Sequence, residues 1–96
     1  MKIGLMKVEI SIPGNNSLKG KRSVLRSIKD RIRNSFNVSV AEVEDQGLWQ
    51  RAVIGVACVG PDQKYLNGQL NRIRDLVEHE RQVELVDCQM DFSEAG

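Results

Sequence analysis

Between Ser17 and Phe36 seven basic residues, Lys19, Lys21, Arg22, Arg26, Lys29, Arg31 and Arg33, stand against a single acid, Asp30. Cationic side chains at that density bind anions, and a phosphate backbone is the anion that rewards a row of them. The segment carries +6 in a chain whose total is +1, so the remainder sums to −5 and the charge is segregated. At about 100° per residue, Lys19, Arg22, Arg26, Lys29 and Arg33 fall within roughly 80° of arc, forming one stripe. A stripe serving solubility alone normally has Glu interspersed at pairing distance, and this one does not. Two readings stay open: a solvated helix face, or a surface touching phosphates of structured RNA through charge and shape. The contact residues of the second reading are Lys19, Lys21, Arg22, Arg26, Lys29 and Arg33.

Other chemistry is sparse. The stretch Gly14-Asn15-Asn16-Ser17-Leu18-Lys19-Gly20-Lys21-Arg22 follows a strand and opens a helix, as phosphate-binding loops do. It departs from the nucleotide-binding pattern, with five residues between the glycines and Arg22 where a magnesium-binding hydroxyl is needed. A looser role survives, in which Lys19 and Lys21 hold a phosphate of something larger. His79, the single histidine, has no second His or nearby Cys, so no metal and no cofactor are expected. No Ser or Cys comes with a credible base for nucleophilic catalysis. Glu42, Glu44 and Asp45 supply an acid-base pair if a cleft holds them, and a solvated edge and turn if not.

The elements that position these groups are legible from periodicity. Residues 2–12 alternate as a strand, with Gly4, Met6, Val8, Ile10 and Ile12 on one side and Ile3, Leu5, Lys7, Glu9 and Ser11 on the other. Pro13-Gly14-Asn15-Asn16 ends it, and Ser17 is suited to cap the following helix. Leu18, Leu25, Ile28, Ile32 and Phe36 define the helix's apolar stripe, with Val24 at its edge. Lys21 falls inside the stripe and is expected to lay its stem on the core and reach water with its ammonium. Val38, Val40 and Val43 form the next strand, with a bulge near Ala41 and Glu42 if all three face the core. Glu44-Asp45-Gln46-Gly47 turns into the run Leu48–Val59, apolar on both faces and hence a central strand. Trp49, the only tryptophan, begins that strand, either sealing the core's end or anchoring a partner. Gly60-Pro61-Asp62 opens a second helix with Leu66, Leu70, Ile73, Leu76 and Val77, and Val83–Phe92 alternates again with Val86, Cys88 and Met90 on one face.

The order strand, helix, strand, strand, helix, strand predicts a single α+β domain over 1–96. It is a ferredoxin-like βαββαβ sandwich: a four-stranded antiparallel sheet with two helices on one face. The first and third strands are central. On the uncovered face Ile3, Leu5, Val53, Ala57 and Leu85 are expected to form an apolar patch, and soluble monomers seldom leave such a patch bare. A homodimer interface there follows. The central strands offer no aromatic for base stacking, and no anion-binding Arg follows the first strand, so the sheet-stacking RNA and acylphosphatase modes of this fold are disfavoured.

Ninety-six residues suffice for one hydrophobic core without staples. No apolar run approaches the ~18 residues of a membrane helix, and Lys7 and Glu9 interrupt the N-terminal stretch a secretory signal needs, so a cytoplasmic protein with no membrane partner is expected. Cys58 and Cys88 lie in strands separated by a third, about 9 to 10 Å at the usual spacing and beyond disulfide reach.

Four blocks, Ile12-Pro13-Gly14, Ser17 to Arg22, Phe36 to Glu42 and Leu48 to Ala52, resemble the bacterial YlxP-like family, domain of unknown function 503. The resemblance runs over nearly the full chain, with Gly20 an unusual residue for a first helical turn. It implies the ferredoxin-like fold, a small cytoplasmic protein, and, by association with translation genes, an RNA or ribosome partner. It implies no catalytic residue. The expectation is a non-enzymatic, dimeric accessory protein that touches ribosomal or other structured RNA through the first helix. The alternative is a protein-interaction module using the open sheet.

Overall fold

The computed structural model describes residues 1–96. Six elements follow in order: β1 (Lys2–Ser11), α1 (Leu18–Ser35), β2 (Ser39–Glu44), β3 (Arg51–Gly60), α2 (Gln63–Glu78) and β4 (Glu84–Glu94). The strands form one antiparallel sheet in the order β2-β3-β1-β4. This is the βαββαβ ferredoxin-like arrangement, with β1 and β3 central.

Side-chain alternation assigns one sheet face to the core. Met6, Val8 and Ile10 of β1, and Ala52, Ile54, Val56 and Cys58 of β3, are buried against Leu25, Ile28 and Ile32 of α1 and Leu66, Leu70, Ile73 and Val77 of α2. Burial of each Val, Leu, Ile or Met among them is worth about 1.5–3 kcal/mol, which is what holds the helices down. Cys58 and Cys88 are free thiols on the two strands that flank β1, as the topology requires.

Local rules set the helix ends. Ser17 caps α1 as expected, its Oγ accepting from Gly20 N at 2.9 Å. Glycine at position 20 has a steric reason: a Cβ there would stand 2.3 Å from Asn15 Oδ1. Asp62 caps α2 by accepting from Tyr65 N at 2.8 Å, and His79 follows as the C-cap, exposed.

Two expected orientations change, and one open alternative is decided. The β2 bulge falls between Glu42 and Glu44, and Val43 lies over Gly55 on the open face instead of entering the core. In β4 the register shifts between Glu9 and Ile10, so Ile10 faces Leu85 and Val86 is the extra residue. Leu85 therefore packs against the core with Cys88, Met90 and Phe92, while Val86 is exposed. Trp49, finally, does not seal the core; it is 52% exposed.

Candidate nucleic-acid interface

The basic stripe lies where α1 overhangs the edge strand β2. Arg22, Arg26, Lys29 and Arg33 line a groove of about 350 Å³ with Leu25, Asp30 and Glu42. Helix periodicity brings the cations together: steps of four, three and four residues keep them on one flank while Leu25, Ile28 and Ile32 face the sheet. Lys19, Arg22 and Arg26 are exposed and Lys29 is half-buried. No carboxylate comes within 4.0 Å of any of these four. Arg33 donates from Nη2 to Val40 O at 2.9 Å and reaches Asp30 only at 4.0 Å. Arg31 pairs with Glu80 on the other flank.

Lys21 is a correction. It neither snorkels nor belongs to an anion-binding surface: its side chain is 2% exposed. Its ammonium donates to Asp45 O at 2.6 Å and Leu48 O at 2.7 Å, and lies 2.8 Å from Glu42 Oε2. The connection between β2 and β3 turns over the start of α1, with Asp45 in the left-handed region (φ 61°) and Leu48 N donating back to Asp45 O at 3.0 Å. Two loop carbonyls and a buried carboxylate oxygen thus converge on one point, where the ammonium at the end of an aliphatic stem donates to both carbonyls and balances the charge of the carboxylate. The sequence signal was present, a lysine in an apolar stripe with Glu42 downstream, but snorkelling was the simpler reading. With Lys21 committed to the loop, only Lys19 of the two lysines in the Gly14–Arg22 stretch is left to hold a phosphate.

The same loop is fastened from a second side. Asn15 Nδ2 donates to Trp49 O and, at 2.8 Å, to Ser17 O, while Gln50 Nε2 donates to Asn15 O at 3.1 Å. Leu48 and Trp49 are both about half exposed on this tethered segment, beside the first turn of α1.

The acidic residues of the hairpin do not form one cluster. Glu42 pairs in register with Ile54 on the helix side and is bound to Lys21; Glu44 pairs with Val53 on the open side and accepts from Lys7 at 2.9 Å. That hydrogen bond, reinforced by the carboxylate's charge, raises the Lys7 ammonium above its ordinary pKa.

The open sheet face is apolar at one end only. Leu5 is 46% exposed, and Leu5, Ala41, Val43, Gly55 and Ala57 line a groove of about 590 Å³ edged by Lys7, Gln89 and Asp91. Ile3 and Ala57 are half-buried, and Val59 extends the patch at 60% exposure. Two expected members are missing. Val53 is only 5% exposed, lying among Lys7, Glu9, Glu44 and Asp87, and Leu85 is on the core side. The sequence reading missed Ala41 and Val43, because only the bulge shows which way β2 turns its side chains. No helix is long and apolar enough to cross a membrane.

The fold recurs in chains of low sequence identity. The de novo designed protein Foldit4 is similar over 100% of both chains, with a TM-score of 0.56 at 8% identity. A dimeric ferredoxin-like protein from an uncultured marine organism matches over 100% of this chain and 99% of its own, with a TM-score of 0.52 at 6% identity. Sequence similarity is more specific. Uncharacterized protein YlxP of Bacillus subtilis (strain 168) is 35% identical over 82 residues, covering 85% of this chain and 89% of the relative. Residues 3–90 match the family described as protein of unknown function, DUF503. A match of that extent, on the fold just described, makes this chain a member of the DUF503 family.

Proposed function

We propose that this protein is a non-enzymatic accessory factor that binds structured RNA, ribosomal RNA included, through the flank of α1. The observation that carries the reading is a row of four cations, Lys19, Arg22, Arg26 and Lys29, left without carboxylate partners, the last three of them lining a groove beside β2. The placement works against the helix itself. The first turn of α1 holds no acid, and the positive end of the helix dipole makes cations unfavourable there. A polyanion relieves both the mutual repulsion and the dipole mismatch, and releases counterions as it does so. Groove and stripe present a row of charge along a helix flank, which suits recognition by backbone and shape.

Replacing Arg22 and Arg26 by Glu tests it. Retention of a structured RNA by the wild-type chain should fall steeply with added salt, and the double variant should bind more weakly at low salt with a salt slope lower by about 2, about 1 for each lost phosphate contact. Unchanged retention in the variant refutes the assignment.

A second reading, a homodimer or protein-interaction module using the open sheet, is favoured by the exposed groove floored by Leu5, Gly55 and Ala57. It lies on the face opposite the helices and is compatible with the first. Leu5→Asp should convert a dimer to a monomer in sedimentation; a wild-type chain that sediments as a monomer at high concentration, with no protein bound there, removes it.

A further inference from the structure

Trp49 stands on the surface at the end of the molecule where the basic stripe begins, and the loop that carries it is not free to fold it away. Lys21 holds Leu48 O and Asp45 O from within, and Asn15 holds Trp49 O from the side. One nitrogen, Asn15 Nδ2, bridges Trp49 O and Ser17 O, so the backbone of Trp49 lies within two hydrogen-bond lengths of the residue that caps α1. Lys19 is two residues further on, which places its backbone roughly 10 Å from that of Trp49. A lysine stem can span most of that distance and Arg22 follows one helical turn on, so an exposed indole and two cations without carboxylate partners share this end of the molecule.

An exposed indole beside unpaired cations fits a base with its adjacent phosphate. A purely apolar partner would leave Lys19 and Arg22 without counter-charge at the rim, whereas a nucleotide meets both halves of the surface. Pre-organisation adds to this, because a loop already tethered at three carbonyls loses little freedom when a base stacks on it. Duplex RNA keeps its bases stacked inside, so the base offered to Trp49 must be unpaired.

We propose that the RNA recognised along α1 is a helical stem with an adjoining unpaired nucleotide, whose base stacks on Trp49 while Lys19 and Arg22 hold the neighbouring phosphate. This rests on the RNA reading of the α1 flank and specifies its ligand. It also assigns Lys21 a part in binding without contact: it positions the stacking platform.

Trp49 is the sole tryptophan, so its emission reports on the site directly. The test titrates the full chain with an RNA hairpin bearing a short single-stranded tail and with the same hairpin made flush. The tailed hairpin should quench the emission and bind about tenfold more tightly, as expected for one stacked base. Trp49→Ala should remove that preference and leave the salt-dependent binding of the flush stem, and Trp49→Phe should restore part of it. Circular dichroism checks that both variants are folded. Equal binding of both hairpins with unchanged emission overturns the inference while leaving RNA binding by α1 intact. Failure of both hairpins to bind at low salt overturns the reading of α1 itself. Emission that responds to protein concentration and not to RNA identifies Trp49 as a protein contact and likewise overturns it.

Discussion

Replacing Lys21 by Met keeps the aliphatic stem and its volume but deletes the ammonium. What remains is a Glu42 carboxylate with one oxygen buried and no cation left within 4.0 Å, together with the carbonyls of Asp45 and Leu48 stripped of their donor. Removing one partner of a buried pair costs about 3–5 kcal/mol, mostly through the uncompensated charge left behind. Glu42 keeps 20% of its side-chain surface, and the loop carbonyls can recruit water, so the lower end applies: about 3 kcal/mol. For a domain of this size each kcal/mol moves the melting temperature by about 4–8 °C, giving a fall of roughly 12 to 24 °C. The assay is urea and thermal unfolding of wild type, Lys21→Met, Glu42→Gln and the double variant. The double variant should be more stable than Lys21→Met alone, because neutralising Glu42 removes the stranded charge. A loss below about 1 kcal/mol, with the two substitutions additive, would show the ammonium to be solvated and the clamp wrong. Trp49 emission in Lys21→Met should also shift toward that of a mobile loop under native conditions, since the platform loses one of its two tethers.

Gly55 should show a reversal of sign. A Cβ there meets Val43 Cγ1 at 2.9 Å, so Gly55→Ala should destabilise by about 1 kcal/mol in the native background. In a Val43→Ala background it should stabilise by about 0.5–1 kcal/mol through the unfolded chain's lost freedom, as read from urea midpoints. Cys58 and Cys88 are both held above the ordinary thiol pKa, chiefly by burial. A raised folded pKa contributes stability that is complete below the unfolded thiol value near about 8.5 and declines as pH rises through the folded one. Unfolding free energy should therefore fall above that pH, and Cys58→Ala should flatten the decline; alkylation of the native thiols should be slow until denaturant is added.

Period-two and helical spacing determined the element order, and with it the sheet topology and most of the core, because those patterns are local and redundant. Val8, Ile10, Ile54, Leu70 and Ile73 each repeat a message their neighbours also carry. The caps Ser17 and Asp62 are equally local, each a side chain answering an amide three residues away. The stripe on α1 was legible for the same reason: helix geometry alone aligns Arg22, Arg26, Lys29 and Arg33. Whether a charge is free or used is a different matter, since it depends on groups distant along the chain. Lys21 meets carbonyls 24 and 27 residues away, and only the path of the β2–β3 connection shows that they converge on it. The bulges are another such case: one extra residue at Val43 or Val86 inverts which face the next side chain takes, and bulge position reflects the pairing of whole strands. So the open face lost Leu85 and gained Val43, and Trp49 came to stand in solvent, through tertiary geometry that no local pattern encodes.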